Sequence, residues 1–190
     1  MVRVSTSEFK VGLKVEIEKQ PYVILINEFV KPGKGQAFNR IKIRNLISGR
    51  VIEKTFKSGD SIETADIAES RMRLLYTDQF GGTFMDEETY DQEVIGWEKL
   101  EHIRKWLVEE IVYEILFYNG DIITVDAPIF MEMTIAETAP GIRGDTASGR
   151  VLKAAVTNTG AKVMVPIFIE EGEKIRVDTR TGEYESRVAK

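Results

Sequence analysis

The chain has no cysteine among its 190 residues, which excludes disulfides and thiolate metal sites. It has a single histidine, His102. A zinc site needs several His or Cys ligands, and a nucleophile–base pair needs a histidine, a cysteine or an activated serine. His102 stands among Glu98, Glu101 and Lys105 and reads as a surface histidine. The adjacent acids Glu87-Glu88, Glu109-Glu110 and Glu170-Glu171 point mostly apart as sequence neighbours, so they read as solvated charge. No apolar run approaches the length of a membrane span, and Met1-Val2-Arg3-Val4-Ser5 lacks the apolar block of a signal peptide. A soluble cytoplasmic protein with no membrane partner is expected. These shortages favour a binding protein over an enzyme.

What is present begins with a charge asymmetry hidden in the net charge of −5. Residues 1–64 carry 12 Lys and Arg against 7 Asp and Glu, residues 65–126 carry 5 against 15, and residues 127–190 carry 9 of each. Phosphate contacts depend on local potential, so a basic first third points to nucleic acid even in an acidic chain. The acidic middle is expected to face away from phosphates or toward a basic partner.

The basic third contains Lys31-Pro32-Gly33-Lys34-Gly35-Gln36, set between two β-rich runs, Tyr22 to Val30 and Ala37 to Ile47. Pro32 fixes one backbone angle, while Gly33 and Gly35 allow conformations closed to other residues. One long cationic side chain, Lys34, stands between the glycines with nothing bulky beside it. A phosphate-binding P-loop does not fit, because Lys34 is followed by Gly-Gln and a strand rather than by Ser or Thr opening a helix. Beyond the loop, Arg40, Lys42 and Arg44 alternate with Ile41 and Ile43. In a strand that alternation sends the isoleucines into a core and the cations outward. From Lys31 to Arg44 there is no acid, so an unmixed cationic stripe suited to a phosphate backbone is expected.

With 43% apolar residues the chain can bury real cores, divided among one to three domains. Val11 to Glu18, Tyr22 to Val30, Ala37 to Ile47 and Val51 to Phe56 read as strands of a small SH3-like barrel. Their separators are Lys19-Gln20-Pro21, the lysine loop and Ser48-Gly49-Arg50. Lys57-Ser58-Gly59-Asp60 is turn chemistry, with a boundary near residue 64. In the second segment Arg71 to Thr77 reads as a strand and Gly81-Gly82 as a break. Asp86 is placed to cap a short helix, and Trp97, Leu100, Ile103 and Leu107 fall at helical spacing, with Glu101 one turn from Lys105. Asn119-Gly120, between Ile111 to Tyr118 and Asp121 to Val125, signals a two-residue hairpin. In the third segment Met131, Met133 and Ile135 alternate with polar neighbours, as do Ile175 and Val177. Pro166 marks the run Lys162 to Ile169 as an edge strand or a bulge. Pro140 to Arg150 is a loop. Its Gly141-Ile142-Arg143-Gly144-Asp145-Thr146 lacks the glycine fingerprint of a dinucleotide site.

Several of these stretches resemble one family. Glu28-Phe29-Val30-Lys31-Pro32-Gly33-Lys34-Gly35-Gln36-Ala37-Phe38 resembles the signature loop of bacterial elongation factor P, and Glu53-Lys54-Thr55-Phe56-Lys57-Ser58 resembles its following strand. Gly144-Asp145-Thr146 and Val177-Asp178-Thr179-Arg180-Thr181-Gly182-Glu183-Tyr184 resemble its C-terminal domain. Asp78-Gln79-Phe80-Gly81-Gly82-Thr83 departs from the family's usual Asp-Gly turn followed by an aromatic.

The resemblance implies an all-β fold with short helices and three small barrels in an L shape. These are an SH3/KOW-like barrel over 1–64 and two OB-type barrels over 65–127 and 128–190. It implies a monomer that binds the ribosome beside peptidyl-tRNA and promotes peptide bond formation at consecutive prolines. Lys34 would reach the CCA end of the tRNA. It would be modified by a dedicated enzyme, the β-lysyl type fitting a lysine tip, and no other cofactor is implied. Lys31, Pro32, Gly33, Gly35, Gln36, Arg40, Lys42 and Arg44 are the implied tRNA-binding set. Gly144, Asp145 and Thr146 would face the small subunit and exit-site mRNA, with Arg180, Tyr184 and Arg187 as further RNA contacts. Two other readings stand beside it: a general RNA-binding or ribosome assembly factor without a special lysine, and a ribosome-independent enzyme resting on His102.

Overall fold

In the computed structural model, residues 2–140 and 151–188 are described. They form three antiparallel sheets with one short helix. The first sheet contains β1 (Arg3–Ser5), β2 (Lys14–Ile17), β3 (Gln20–Val30), β4 (Phe38–Asn45), β5 (Val51–Lys57) and β6 (Ser61–Thr64), in the order β1-β6-β2-β3-β4-β5. The second contains β7 (Ile67–Thr77), β8 (Gly81–Asp86), β9 (Gln92–Gly96), β10 (Val112–Tyr118) and β11 (Asp121–Asp126), in the order β11-β10-β7-β8-β9. The third contains β12 (Phe130–Thr138), β13 (Leu152–Thr157), β14 (Lys162–Pro166), β15 (Lys174–Asp178) and β16 (Glu183–Arg187), in the order β14-β13-β12-β15-β16. By compactness the chain divides into two units, Met1–Ser70 with Ile115–Thr124 and Arg71–Glu114 with Val125–Lys190. Among the described residues no helix is long and apolar enough to cross a membrane.

The first core follows from strand alternation. Ile41 and Ile43 of β4 are fully buried with Phe9, Val15 and Ile24, and Ile52, Phe56, Ile62 and Tyr22 pack around them. Each such isoleucine contributes about 1.5–3 kcal/mol through burial. A β-bulge between Ile24 and Ile26 shifts the register of β3 against β4. A straight strand would turn Ile24 and Ile26 to the same face. The bulge instead leaves Ile26 outside, opposite Lys42, and brings Asn27 opposite buried Ile41. The β2–β3 turn is tighter than expected. Ile17 pairs with Gln20 around Glu18 and Lys19, both at positive φ, so Gln20 and Pro21 belong to β3 rather than to a separator.

The second sheet corrects three further expectations. Gly81 and Gly82 open β8 and are buried. A Cβ at Gly81 would collide with the Ile95 carbonyl of β9, so this glycine permits a close backbone approach rather than breaking a strand. Asp86 caps no helix. Its Oδ1 accepts the backbone N–H groups of Glu88 and Thr89 at 2.7 and 2.9 Å, forming an Asx turn from β8 into β9. The helical stretch splits into α1 (Trp97–Leu100) and a 3-10 turn, Glu101–Trp106. At three residues per turn, Leu100, Ile103 and Trp106 point inward rather than Leu107. For the same reason Glu101 meets Arg104 at 3.2 Å, while Lys105 lies over the Trp106 ring. The Asn119-Gly120 hairpin is as expected, with φ of 50° and 86°. In the third sheet Met131, Met133, Ile135, Ile175 and Val177 are buried, and Pro166 ends the edge strand β14.

Candidate nucleic-acid interface

The lysine loop joins β3 to β4, the longest strand pairing of the first sheet, which runs from Tyr22–Asn45 to Val30–Phe38. The pairing closes at Val30 and Phe38, leaving residues 31–37 as a connection projecting past the last rung. Pro32 and Ala37 are half-buried, whereas Lys31, Gly33, Lys34, Gly35 and Gln36 are exposed. Of the two loop glycines, Gly35 adopts the left-handed region, φ +113°, so it is the one whose freedom the turn requires. The nearest neighbour of a Cβ at Gly35 would be Pro32 Cγ at 3.8 Å.

The base of the loop is tied down on two sides. Ser58 N–H donates to Ala37 O at 2.8 Å, and Gln36 Nε2 donates to Ser58 O at 3.2 Å. The 57–60 turn is itself held, with Lys57 N–H donating to Asp60 Oδ2 at 2.7 Å and Gly59 N–H to the Oγ1 of buried Thr6 at 3.1 Å. On the inner face Asn39, 4% exposed, donates through Nδ2 to Asn27 Oδ1 at 2.8 Å, and Asn27 Nδ2 donates to Phe9 O at 2.8 Å. The sequence reading missed Asn27, Asn39, Ser58 and Thr6. One signal was available: Asn39 shares strand parity with Ile41 and Ile43, so it had to be a buried polar group with partners.

Arg40, Lys42 and Arg44 all point outward from β4, alternating with buried Asn39, Ile41, Ile43 and Asn45. The stripe is not unmixed, however. Across the sheet Arg40 lies between Glu28 and Thr55, Lys42 between Ile26 and Glu53, and Arg44 between Val23 and Val51. Arg40 Nε sits 3.6 Å from Glu53 Oε1. Three strands, not one, set the sign of a sheet face, because directly opposed residues stand closer than residues two apart in one strand. Lys42, Arg44 and Lys34 form no ion pair among the described residues.

The C-terminal candidates are more committed. Arg180 donates to Asp178 through Nε at 3.1 Å and Nη2 at 2.6 Å. That guanidinium, with backbone N–H donation from Arg180 and Thr181, holds the Asp178 carboxyl down at about 2. Arg187 is paired with Glu173. Tyr184 is half-buried opposite Val177. Gly144, Asp145 and Thr146 lie outside the described residues. His102 Nε2 donates to Val125 O at 2.9 Å, a tie between two segments of the second unit.

Three family models match the chain. The elongation factor P KOW-like domain matches residues 5–62, the elongation factor P OB domain residues 67–125 and the elongation factor P C-terminal domain residues 131–187. The chain is 74% identical over 190 residues to "Elongation factor P 2" of Chlamydia trachomatis serovar D and 75% identical to that of Chlamydia muridarum, covering 100% of both chains in each case. Among solved structures it resembles a translation initiation factor eif-5a family protein of Naegleria fowleri. There the TM-score is 0.52 at 15% identity, covering 66% of this chain and 97% of that one, a likeness of fold alone.

Proposed function

The chain belongs to the elongation factor P family of translation factors, and on that premise we propose that it binds the ribosome beside peptidyl-tRNA and promotes peptide bond formation at consecutive prolines. The observation that carries this reading is Lys34, exposed and without an ion pair among the described residues, at the tip of a loop anchored at Ser58 and above Asn39. Proline is a constrained nucleophile, and a prolyl peptidyl-tRNA drifts from reactive geometry. Restricting that drift can raise a rate greatly without any chemistry by the factor itself. The Lys34 ammonium, held against the CCA backbone, would act by alignment, and the ribosome would supply the peptidyl transferase. Pro32 and Gly35 shape the turn, Lys31 and Gln36 flank it, and Lys42 and Arg44 offer phosphate contacts along β4.

Lys34 is the proposed site of covalent extension by a lysine-modifying enzyme, with a β-lysyl group lengthening the arm and adding donors. The three segments 1–64, 65–127 and 128–190 are taken as separate domains of a cytoplasmic monomer. Gly144-Asp145-Thr146 is assigned to the side facing exit-site mRNA. Replacing Lys34 by Ala is expected to abolish rescue of a polyproline reporter while the melting temperature stays within about 1 °C, as for an exposed surface site. Full rescue by K34A ends this mechanism and favours a general RNA-binding role. Intact mass of native protein tests the modification, and an increment localised to Lys34 is the expected result.

A further inference from the structure

One rung below the loop, polarity is inverted. Phe29 pairs directly with Asn39 across β3 and β4, yet Asn39 is 4% exposed and Phe29 is 63% exposed. A buried polar side chain opposite an exposed aromatic one is the reverse of what burial energetics favour. The bulge between Ile24 and Ile26 sets this parity by turning Asn27 and Phe29 toward the inner face. The Asn39–Asn27–Phe9 carbonyl chain then closes the inner face with polar groups whose hydrogen bonds are already made. Phe9 and Phe56, aromatics of the first core, pack against each other edge to face at 5.5 Å. Phe29 is left as a ring at the rim, two residues from Lys31 and five from Lys34.

We propose that Phe29 is a stacking platform for an unpaired nucleobase of the RNA that the lysine loop approaches. An exposed aromatic ring within a few residues of the loop lysines Lys31 and Lys34 is a combination that binds single-stranded nucleotides, the ring taking the base and the ammonium groups the phosphates. The inference rests on the proposed ribosomal function and adds a contact to it: Lys34 reaches the backbone, and Phe29 fixes a base nearby. The ring is 63% exposed and is not among the residues of the first core, so the fold is expected to tolerate substitution.

The test uses the full chain and ribosomes carrying a peptidyl-tRNA stalled at prolines. F29L keeps apolar volume and loses the ring, whereas F29Y and F29W keep it. F29L is expected to weaken binding about tenfold or more, the scale of one lost base stack. F29Y and F29W should stay within about twofold of the parent, and the added tryptophan emission of F29W should be quenched on binding. If the F29L loss appears only when tRNA is present, the base belongs to the tRNA; if it appears with vacant ribosomes too, the base belongs to ribosomal RNA. Equal binding by F29L and the parent, with K34A still inactive, overturns the stacking role and leaves the proposed function intact. A parent chain that binds no ribosomes overturns both.

Discussion

At the scale of single residues, the β2–β3 turn holds an imperfect choice of side chains. Glu18 and Lys19 both sit in the left-handed region, at φ of 54° and 60°, where a two-residue hairpin ordinarily favours Asn-Gly. Glu18 has a compensation, since its carboxylate receives Lys54 Nζ at 2.8 Å, which also holds its pKa below the usual range. Exposed Lys19 has no such partner among the described residues. Lys19→Gly is therefore expected to stabilise the protein by about 0.5–1 kcal/mol, the left-handed penalty less the added chain entropy, read as a higher urea midpoint. Asp178 gives a second residue-scale prediction. Its pKa is lowered from 3.8 to about 2, chiefly by the Arg180 guanidinium. A depressed acid adds stability that is fully present above the unfolded value and is lost as pH falls through the folded one, so this contribution disappears between about pH 4 and pH 2. Arg180→Ala should return the Asp178 carboxyl toward its ordinary titration, seen directly by carbon NMR. An unchanged midpoint would show that the backbone donors alone hold it down.

At the scale of elements, what a strand carries depends on its neighbours. The β4 cations and the inward isoleucines were legible from alternation alone, because a period of two needs no knowledge of the partner strands. The acids Glu28 and Glu53 that interleave with them were not, since only the pairing of β3 and β5 with β4 brings them alongside. The bulge in β3 was equally hidden, and with it the placement of Asn27 that supplies the partner of Asn39. The helical periodicity of 97–107 was visible, but the choice of 3-10 pitch was made by packing of Leu100, Ile103 and Trp106. The ties beneath the loop belong to the same hidden layer. Asn39→Ala removes the donor to Asn27 Oδ1 and leaves a half-buried acceptor without it, which costs about 1 kcal/mol. The expected signature is a lower melting temperature together with faster amide exchange at residues 36–39 and 57–58. Exchange unchanged there would mean that the Ser58 ties alone hold the loop.

At the scale of the whole molecule, the family and the all-β fold were readable because motifs spread over the chain agree in order, and the matched family segments cover 5–62, 67–125 and 131–187. The candidate interface was readable only in outline, since charge counts do not say which cations are spent internally. Of the first third's surplus, Arg40 is partnered by Glu53 and Lys54 by Glu18, whereas Lys34, Lys42 and Arg44 stand free of ion pairs among the described residues. Counterion release makes that difference measurable: each free cation that meets a phosphate steepens the fall of binding with salt by about one in the log–log slope. Neutralising Lys42 and Arg44 together, as Lys42→Gln with Arg44→Gln, should flatten the salt slope of ribosome binding by about two. Arg40→Gln should flatten it by less, because Glu53 already shares that charge. The middle third, with 15 acids against 5 bases, is expected to contribute nothing to the slope through phosphates. If Arg40→Gln instead flattens the slope as much as Lys42→Gln and Arg44→Gln do per charge, the ion pair opens on binding, and the β4 stripe acts as one surface of three equal cations.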